Sequence, residues 1–216
     1  MDMPGLAACI ITRNEAERIA GCIAAVKFCD EVLVVDAHSS DATRDIAARL
    51  GARVIERDWP GYRSQKQFAS DAASHDWVLA VDADEVVTAP LRAEIEALRA
   101  AGFAGARGWT VPRMTEYFGR YLRHGNAWPD RQIRLYDRRA ARWVGYEVHE
   151  KIAVDGPVGA LRAHLEHHAY RSRELAGVAA DKHHGLHAAT ADLPGFTAHS
   201  AVTGHCRPPS RASERF

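Results

Sequence analysis

Trp77-Val78-Leu79-Ala80-Val81-Asp82-Ala83-Asp84-Glu85 is an unbroken run of five apolar residues leading into three acids interrupted by one alanine. A short continuous apolar run predicts a strand buried on both faces, as in a parallel sheet, and the acids mark the point where the strand emerges. The same pattern recurs upstream. Leu6 to Ile11 is apolar and stops at Thr12-Arg13-Asn14-Glu15, after which Ile19, Cys22, Ile23 and Val26 fall on one helix face. Glu31 to Val35 is a second strand closing on Asp36, and Asp41 is placed to cap a helix through Ile46 and Leu50 that Gly51 ends. Ala52 to Ile55 gives a third strand. Trp59-Pro60-Gly61 interrupts the pattern, a helix with Phe68, Ala69 and Ala72 on its face follows, and Thr88-Ala89-Pro90 begins another carrying Leu91, Ile95 and Leu98.

Strands alternating with helices predict right-handed crossovers, hence an α/β fold with a mostly parallel sheet covered by helices on both faces. Such sheets bind ligands at the carboxyl ends of their strands. The clusters at residues 12–15, 36–41 and 82–85 each follow a strand, and so converge on that edge.

The 216 residues are 47% hydrophobic and 26% charged, which excludes disordered, collagenous and coiled-coil classes and fits one main core with an elaborated end. Lys+Arg and Asp+Glu both number 28, a balance that argues against a nucleic-acid partner. No apolar stretch approaches the roughly 18 residues of a membrane-spanning helix. Met1-Asp2-Met3-Pro4 lacks the basic and apolar regions of a secretory signal, so a cytoplasmic location is expected. Cys9, Cys22, Cys29 and Cys206 show no paired spacing and read as reduced thiols.

Past Gly102, Trp109, Tyr117, Phe118, Tyr121, Trp128, Tyr136, Trp143 and Tyr146 accompany many arginines, a pattern of short strands and loops forming one wall of a cleft. From about residue 195 the composition reads as a loose tail. Asp82 and Asp84, two residues apart at the sheet rim, can approach one divalent cation, and hard oxygen donors suit Mg²⁺ or Mn²⁺ holding a diphosphate.

Residues 10–15 (IITRNE), 34–41 (VVDAHSSD), Gln65-Lys66 and 77–85 together resemble glycosyltransferase family 2, with its GT-A fold. Trp128-Pro129-Asp130-Arg131-Gln132-Ile133-Arg134-Leu135-Tyr136 and Val148-His149-Glu150-Lys151 resemble the bacterial lipopolysaccharide-core β-1,4-glucosyltransferase branch, so the likeness covers roughly residues 6 to 172.

That resemblance implies a metal-dependent inverting enzyme moving a hexose, glucose by preference, from a UDP-sugar to a lipid-linked or oligosaccharide acceptor, at the cytoplasmic face of the inner membrane. It implies a domain over residues 1–172, with a nucleotide-sugar half to about 102 and a smaller mixed acceptor-side half after it. Thr12, Asn14, Glu15, Asp36, Ser39 and Asp41 would hold the nucleoside, with Asp82 and Ala83 near the ribose and Asp84 as the direct metal ligand. Lys66 and one of Arg131 or Arg134 would offset the diphosphate charge. Inversion needs a carboxylate to take the acceptor proton, for which Glu150 is preferred and Asp130 is the alternative. His149 is a candidate third ligand. His164, His167 and His168 have metal-compatible spacing without a recognised zinc pattern and read as packing residues.

The likeness ends near Ser172. Residues 173–216 are histidine- and alanine-rich, without the basic amphipathic helix expected there, and read as an atypical, truncated or disordered segment. Two other classes compete: a chain that binds nucleotide sugar without turnover, and a haloacid-dehalogenase-type phosphatase using Asp82 as nucleophile. The phosphatase needs its DxD early and an acidic pair later, which this order lacks. A dinucleotide oxidoreductase lacks its Gly-x-Gly-x-x-Gly.

Overall fold

Alternation along the first four strands sends successive side chains into two apolar layers, which is the physical basis of the fold. These strands are β1 (Leu6–Thr12), β2 (Glu31–Asp36), β3 (Arg53–Glu56) and β4 (Trp77–Asp82). The computed structural model describes residues 3–123, 128–147 and 149–170. Val148 and the whole segment 173–216 therefore lie outside the described residues.

The layer containing Leu6, Ala8, Ile10, Val34, Leu79 and Val81 is covered by α1 (Ile19–Ala25), α2 (Thr43–Arg49) and α4 (Ala89–Ala100), through Ile19, Ile23, Ala47, Leu91 and Ile95. The opposite layer holds Ala7, Cys9, Leu33, Val35, Val78 and Ala80. It packs on Ala69 and Ala73, at the end of α3 (Tyr62–Ala72), and on Trp143 and Ile152 from a hairpin of β9 (Ala141–Tyr146) and β10 (His149–Val154). Helices thus cover both faces, with the hairpin completing the α3 side.

Helix ends follow local chemistry. Thr88 Oγ1 accepts the Leu91 N–H at the start of α4, with Pro90 in the first turn, and Gly51 takes φ +83° beyond α2. The α2 cap differs by one residue from expectation: Ala42 holds the N-cap position, while Asp41 Oδ1 accepts the Thr43 N–H at 3.0 Å as a turn.

The remaining strands are β5 (Glu85–Val87), β6 (Gly108–Tyr117), β7 (Arg120–Tyr121), β8 (Asp130–Asp137), β11 (Val158–Ala160) and β12 (Leu165–Tyr170). The wall expected after Gly102 is largely an extension of the same sheet, in the order β3-β2-β1-β4-β8-β6-β12-β5, with β7 and β11 also on β6. β1 pairs in parallel with β2 and β4, whereas β8 runs antiparallel between β4 and β6. The doubly reversed β6 therefore ends at the same edge as β4. Among the described residues, no helix is long and apolar enough to cross a membrane.

Leu79 has no exposed surface and sits in the strand that joins the parallel and antiparallel halves. Leu79→Ala should cost about 2 to 5 kcal/mol by combined transfer and cavity terms. Urea unfolding checks this, and a loss below about 1 kcal/mol would remove β4 from the centre of the core.

Candidate active site

The carboxyl edge is built from the loops after β1, β2 and β4, with side chains from α3, β8, β10 and β12. The first two loops are laced together. Asn14, at φ +55°, donates its backbone N–H to Ser39 Oγ at 2.8 Å, and its Oδ1 accepts the Ser40 N–H at 2.8 Å. Thr43 Oγ1 accepts the Glu15 N–H at 2.8 Å, and Asp41 Oδ2 accepts that of Ala16 at 3.2 Å. Asp36 is fully buried, takes the Ser39 N–H at 2.7 Å, and also accepts the Ser39 hydroxyl. Much of the polarity expected to meet a nucleoside therefore first fixes the loop backbones. Thr12 Oγ1 and, on α3, Gln65 Nε2 are buried polar atoms with no partner among the described residues.

Asp82 is held at both oxygens. Lys66 Nζ lies 3.0 Å from Oδ1 and Arg134 Nη2 lies 2.9 Å from Oδ2. Lys66 also reaches Glu150 Oε1 at 2.9 Å, while Arg134 pairs with the buried Glu85. Arg113 Nη1 stands 3.7 Å from Glu85 and grips Asp130 from Nε and Nη2 at 2.8 and 2.7 Å. Both base candidates, Asp130 and Glu150, thus terminate one alternating ion chain centred on Asp82.

Burial alone would raise the Asp82 carboxyl, but Lys66 and Arg134 outweigh it and hold the group far below the usual carboxylate range. Burial likewise works against the Lys66 ammonium, and Asp82 with Glu150 reverses the sign and raises it. For Asp130, burial is overcome by the Gln132 amide and Arg113, which lower its pKa. That favours the ionised form while committing its oxygens to Arg113 and Gln132, at 2.7 Å from the Gln132 Nε2.

Asp84 lies 3.4 Å through Oδ2 from His167 Nε2, and the hydrogen-bonded ring lowers the carboxyl against its burial. The other ring nitrogen, Nδ1, is 3.2 Å from Thr115 Oγ1, an outer contact that orients the imidazole. His167, read from sequence as a packing residue, is therefore the imidazole beside the second aspartate. His149 is exposed and makes no hydrogen bond or ion pair with Asp82 or Asp84 among the described residues. Arg134 stands against Asp82, Arg131 donates to the Leu161 carbonyl at 3.0 Å, and Ala83 is buried.

Three participants had no assigned role in the sequence reading: Arg113, Glu85 and Glu147. Glu147 Oε1 takes Arg63 Nε at 3.0 Å and Ser64 Oγ at 3.1 Å, fastening the β9–β10 turn to the start of α3. Gly61, at φ +114°, leaves room for it, since a Cβ there would lie 2.3 Å from Glu147 Oε2.

A divalent cation fits this chemistry. No group of three or more His, Cys, Asp or Glu gathers as a metal cage among the described residues. Asp84 and His167 nevertheless supply one carboxylate and one imidazole, as in sites completed by substrate phosphate and water. In the ion chain the carboxylates of Asp130, Glu85, Asp82 and Glu150 outnumber the cations Arg113, Arg134 and Lys66, and Asp84 adds a further negative charge. An anionic diphosphate approaching this edge meets surplus acid unless a cation accompanies it.

Residues 7–158 match the family described as Glycosyl transferase family 2. An uncharacterized glycosyltransferase of Rickettsia felis is 50% identical over 95 residues, 44% of this chain and 34% of the relative. The lipopolysaccharide core biosynthesis glycosyltransferase LpsC of Rhizobium meliloti is 34% identical over 163 residues, 73% of this chain and 60% of that protein. The chain thus spans about a third of the first relative and under two thirds of the second. In fold, it is similar to S. aureus TarS 1-349 crystallised with UDP-GlcNAc, at TM-score 0.57 and 14% identity over 80% of this chain and 60% of that one. This likeness is to a GT-A architecture; none of these similarities points to a phosphatase.

Removing Lys66 leaves Asp82 and Glu150 without their shared cation in a largely buried site. Lys66→Met should destabilise the protein by about 3 to 5 kcal/mol at pH 7. The depressed Asp82 pKa adds stability that is complete above the unfolded value of about 3.9 and is lost as pH falls toward the folded one. Urea midpoints should therefore drop less steeply with acid below about pH 4 in the variant than in the parent. Equal midpoints and slopes in the two proteins would contradict the bridge.

Proposed function

The chain belongs to glycosyl transferase family 2, and from that premise we propose that it transfers a hexose, glucose by preference, from a UDP-sugar to a saccharide acceptor with inversion. The observation that carries the reading is the pairing of Asp84 with His167 beside an Asp82 already neutralised by Lys66 and Arg134. A lipopolysaccharide-core acceptor is supported by the similarity to LpsC, and a uridine nucleotide by the UDP-GlcNAc in the TarS structure. We assign donor binding to about residues 1–102 and acceptor binding to about 103–172. We place the reaction in the cytoplasm, at the inner-membrane face where a lipid-linked acceptor would be presented.

Uridine would lie over the loops after β1 and β2, whose backbones the fully buried Asp36 carboxylate fixes from beneath. Asn14, Glu15, Ser39 and Asp41 hold the backbone on which the base rests. Asp82 would accept a ribose hydroxyl, in a position set by its two cations. Asp84 and His167 would hold Mg²⁺ or Mn²⁺, which supplies positive charge to the diphosphate as it leaves.

In the transfer, an acceptor hydroxyl oxygen bonds to the anomeric carbon as the carbon–oxygen bond to the diphosphate breaks, and UDP departs with that electron pair. Glu150 takes the hydroxyl proton. Glu150 is preferred over Asp130 because its cation, Lys66, also holds Asp82, which ties the base to the donor side. Asp130 is engaged by both Arg113 and Gln132.

Titration calorimetry tests the metal assignment. Asp84→Asn and His167→Ala should each weaken UDP binding in Mn²⁺ by about tenfold or more while changing metal-free binding little. Unchanged affinity in both would remove them from the site. For the base, Glu150→Gln should slow transfer by about a hundredfold or more at saturating donor and acceptor, with UDP affinity near that of the parent. Asp130→Asn should have the smaller effect on rate; the reverse order would transfer the role. If UDP binds but no UDP-sugar is turned over by the parent, a binding protein is the correct reading.

A further inference from the structure

Glu85 follows the two aspartates and has no exposed surface, so a bound substrate would not touch it. Apart from Arg113 Nη1 at 3.7 Å, its contacts turn back on Asp82 and Arg134. Oε2 accepts the backbone N–H of Asp82 at 3.0 Å, and Oε1 pairs with Arg134 Nη2, the same nitrogen that donates to Asp82 Oδ2 at 2.9 Å. Asp82 backbone, Glu85, Arg134 and Asp82 carboxylate therefore form a closed ring. Lys66 takes the remaining carboxylate oxygen, leaving Asp82 fixed at its amide and at both oxygens.

The same ring governs Asp84, which lies in the turn between Asp82 and Glu85. β5 begins at Glu85 and runs antiparallel to β12 with Glu85 opposite His167, and the His168 N–H donates to the Asp84 carbonyl at 2.9 Å. One buried carboxylate thus stands at the junction of the strand carrying Asp82 and the strand carrying His167.

A buried ion pair of this kind is a poor source of stability, since apolar residues of similar volume often serve as well or better. Its consequence is geometric: Arg134 is held against Asp82, where its charge would otherwise be free to adopt another rotamer. We infer that Glu85 is a positioning residue of the nucleotide site, holding Asp82 through Arg134 and setting the turn that presents Asp84 to His167. This rests on the donor-site reading above and deepens it.

The test is UDP affinity with Mn²⁺, measured by calorimetry on the full chain at a temperature where circular dichroism shows every variant folded. Loss of affinity among fully folded molecules is a readout that a merely structural role does not move. Glu85→Gln keeps the volume but replaces one acceptor by a donor, and should weaken UDP about tenfold, the scale on which outer contacts act. Arg134→Gln should weaken it comparably, and the double variant should lose clearly less than the product of the two single losses, because both act on one ring. Should Glu85→Gln fail to fold, Glu85→Leu combined with Arg134→Met removes the two partners together while Lys66 still neutralises Asp82, and should fold yet still bind UDP about tenfold more weakly.

Parent-like affinity in the folded Glu85 variants, with only melting temperature altered, overturns the inference and leaves the donor site standing. Fully multiplicative losses overturn the route through Arg134. Absence of UDP binding by the parent chain overturns the donor-site reading and this role with it.

Discussion

Asp82 can remain ionised inside the sheet edge only because Lys66 and Arg134 occupy its two oxygens, and much of the surrounding architecture serves to bring those cations there. Lys66 comes from α3, Arg134 from β8 and the aspartate from β4, so helix, antiparallel strand and parallel strand must all be in place before the charge is balanced. The arrangement costs desolvation of several groups and offers little net stability in return. What it supplies is a carboxylate of fixed direction and a chain of charges reaching Asp130 on one side and Glu150 on the other.

That chain couples the proposed donor side to the proposed acceptor side. Lys66 serves Asp82 and Glu150 together, so a ligand that draws on its charge changes the electrostatics of the proposed base. Glu147, capping α3 across the sequence, keeps the β9–β10 hairpin against the helix that carries Lys66. The surplus of carboxylates along that chain supports the divalent cation proposed to accompany a diphosphate at this edge.

The parallel half was legible from sequence because its information is local. Apolar runs ending in polar clusters located β1, β2 and β4 to within a residue of their observed ends, and helical spacing located α1, α3 and α4. The antiparallel half was harder: β6 is a ten-residue strand containing Pro112 whose pairing with β8 shifts register between Trp109 and Thr110, and such irregular strands give no steady period. Glu85 was quoted in the motif without a role, since nothing in the sequence indicates that Arg134 will meet it. His167 was visible only as one of three histidines near the end of the similarity. Its separation from Asp84 is spanned by β12 pairing with β5, a contact that neither spacing nor composition encodes. The expectation for residues 173–216 concerns chain outside the described residues.

The most direct test of this account is a crystal structure of the chain grown with UDP and Mn²⁺. Uridine is expected over the loops that follow β1 and β2, the ion ligated by Asp84 and His167 together with diphosphate oxygens, and Asp82 still held by Lys66 and Arg134. UDP bound away from the carboxyl edge, or a metal ligated without Asp84, would contradict it.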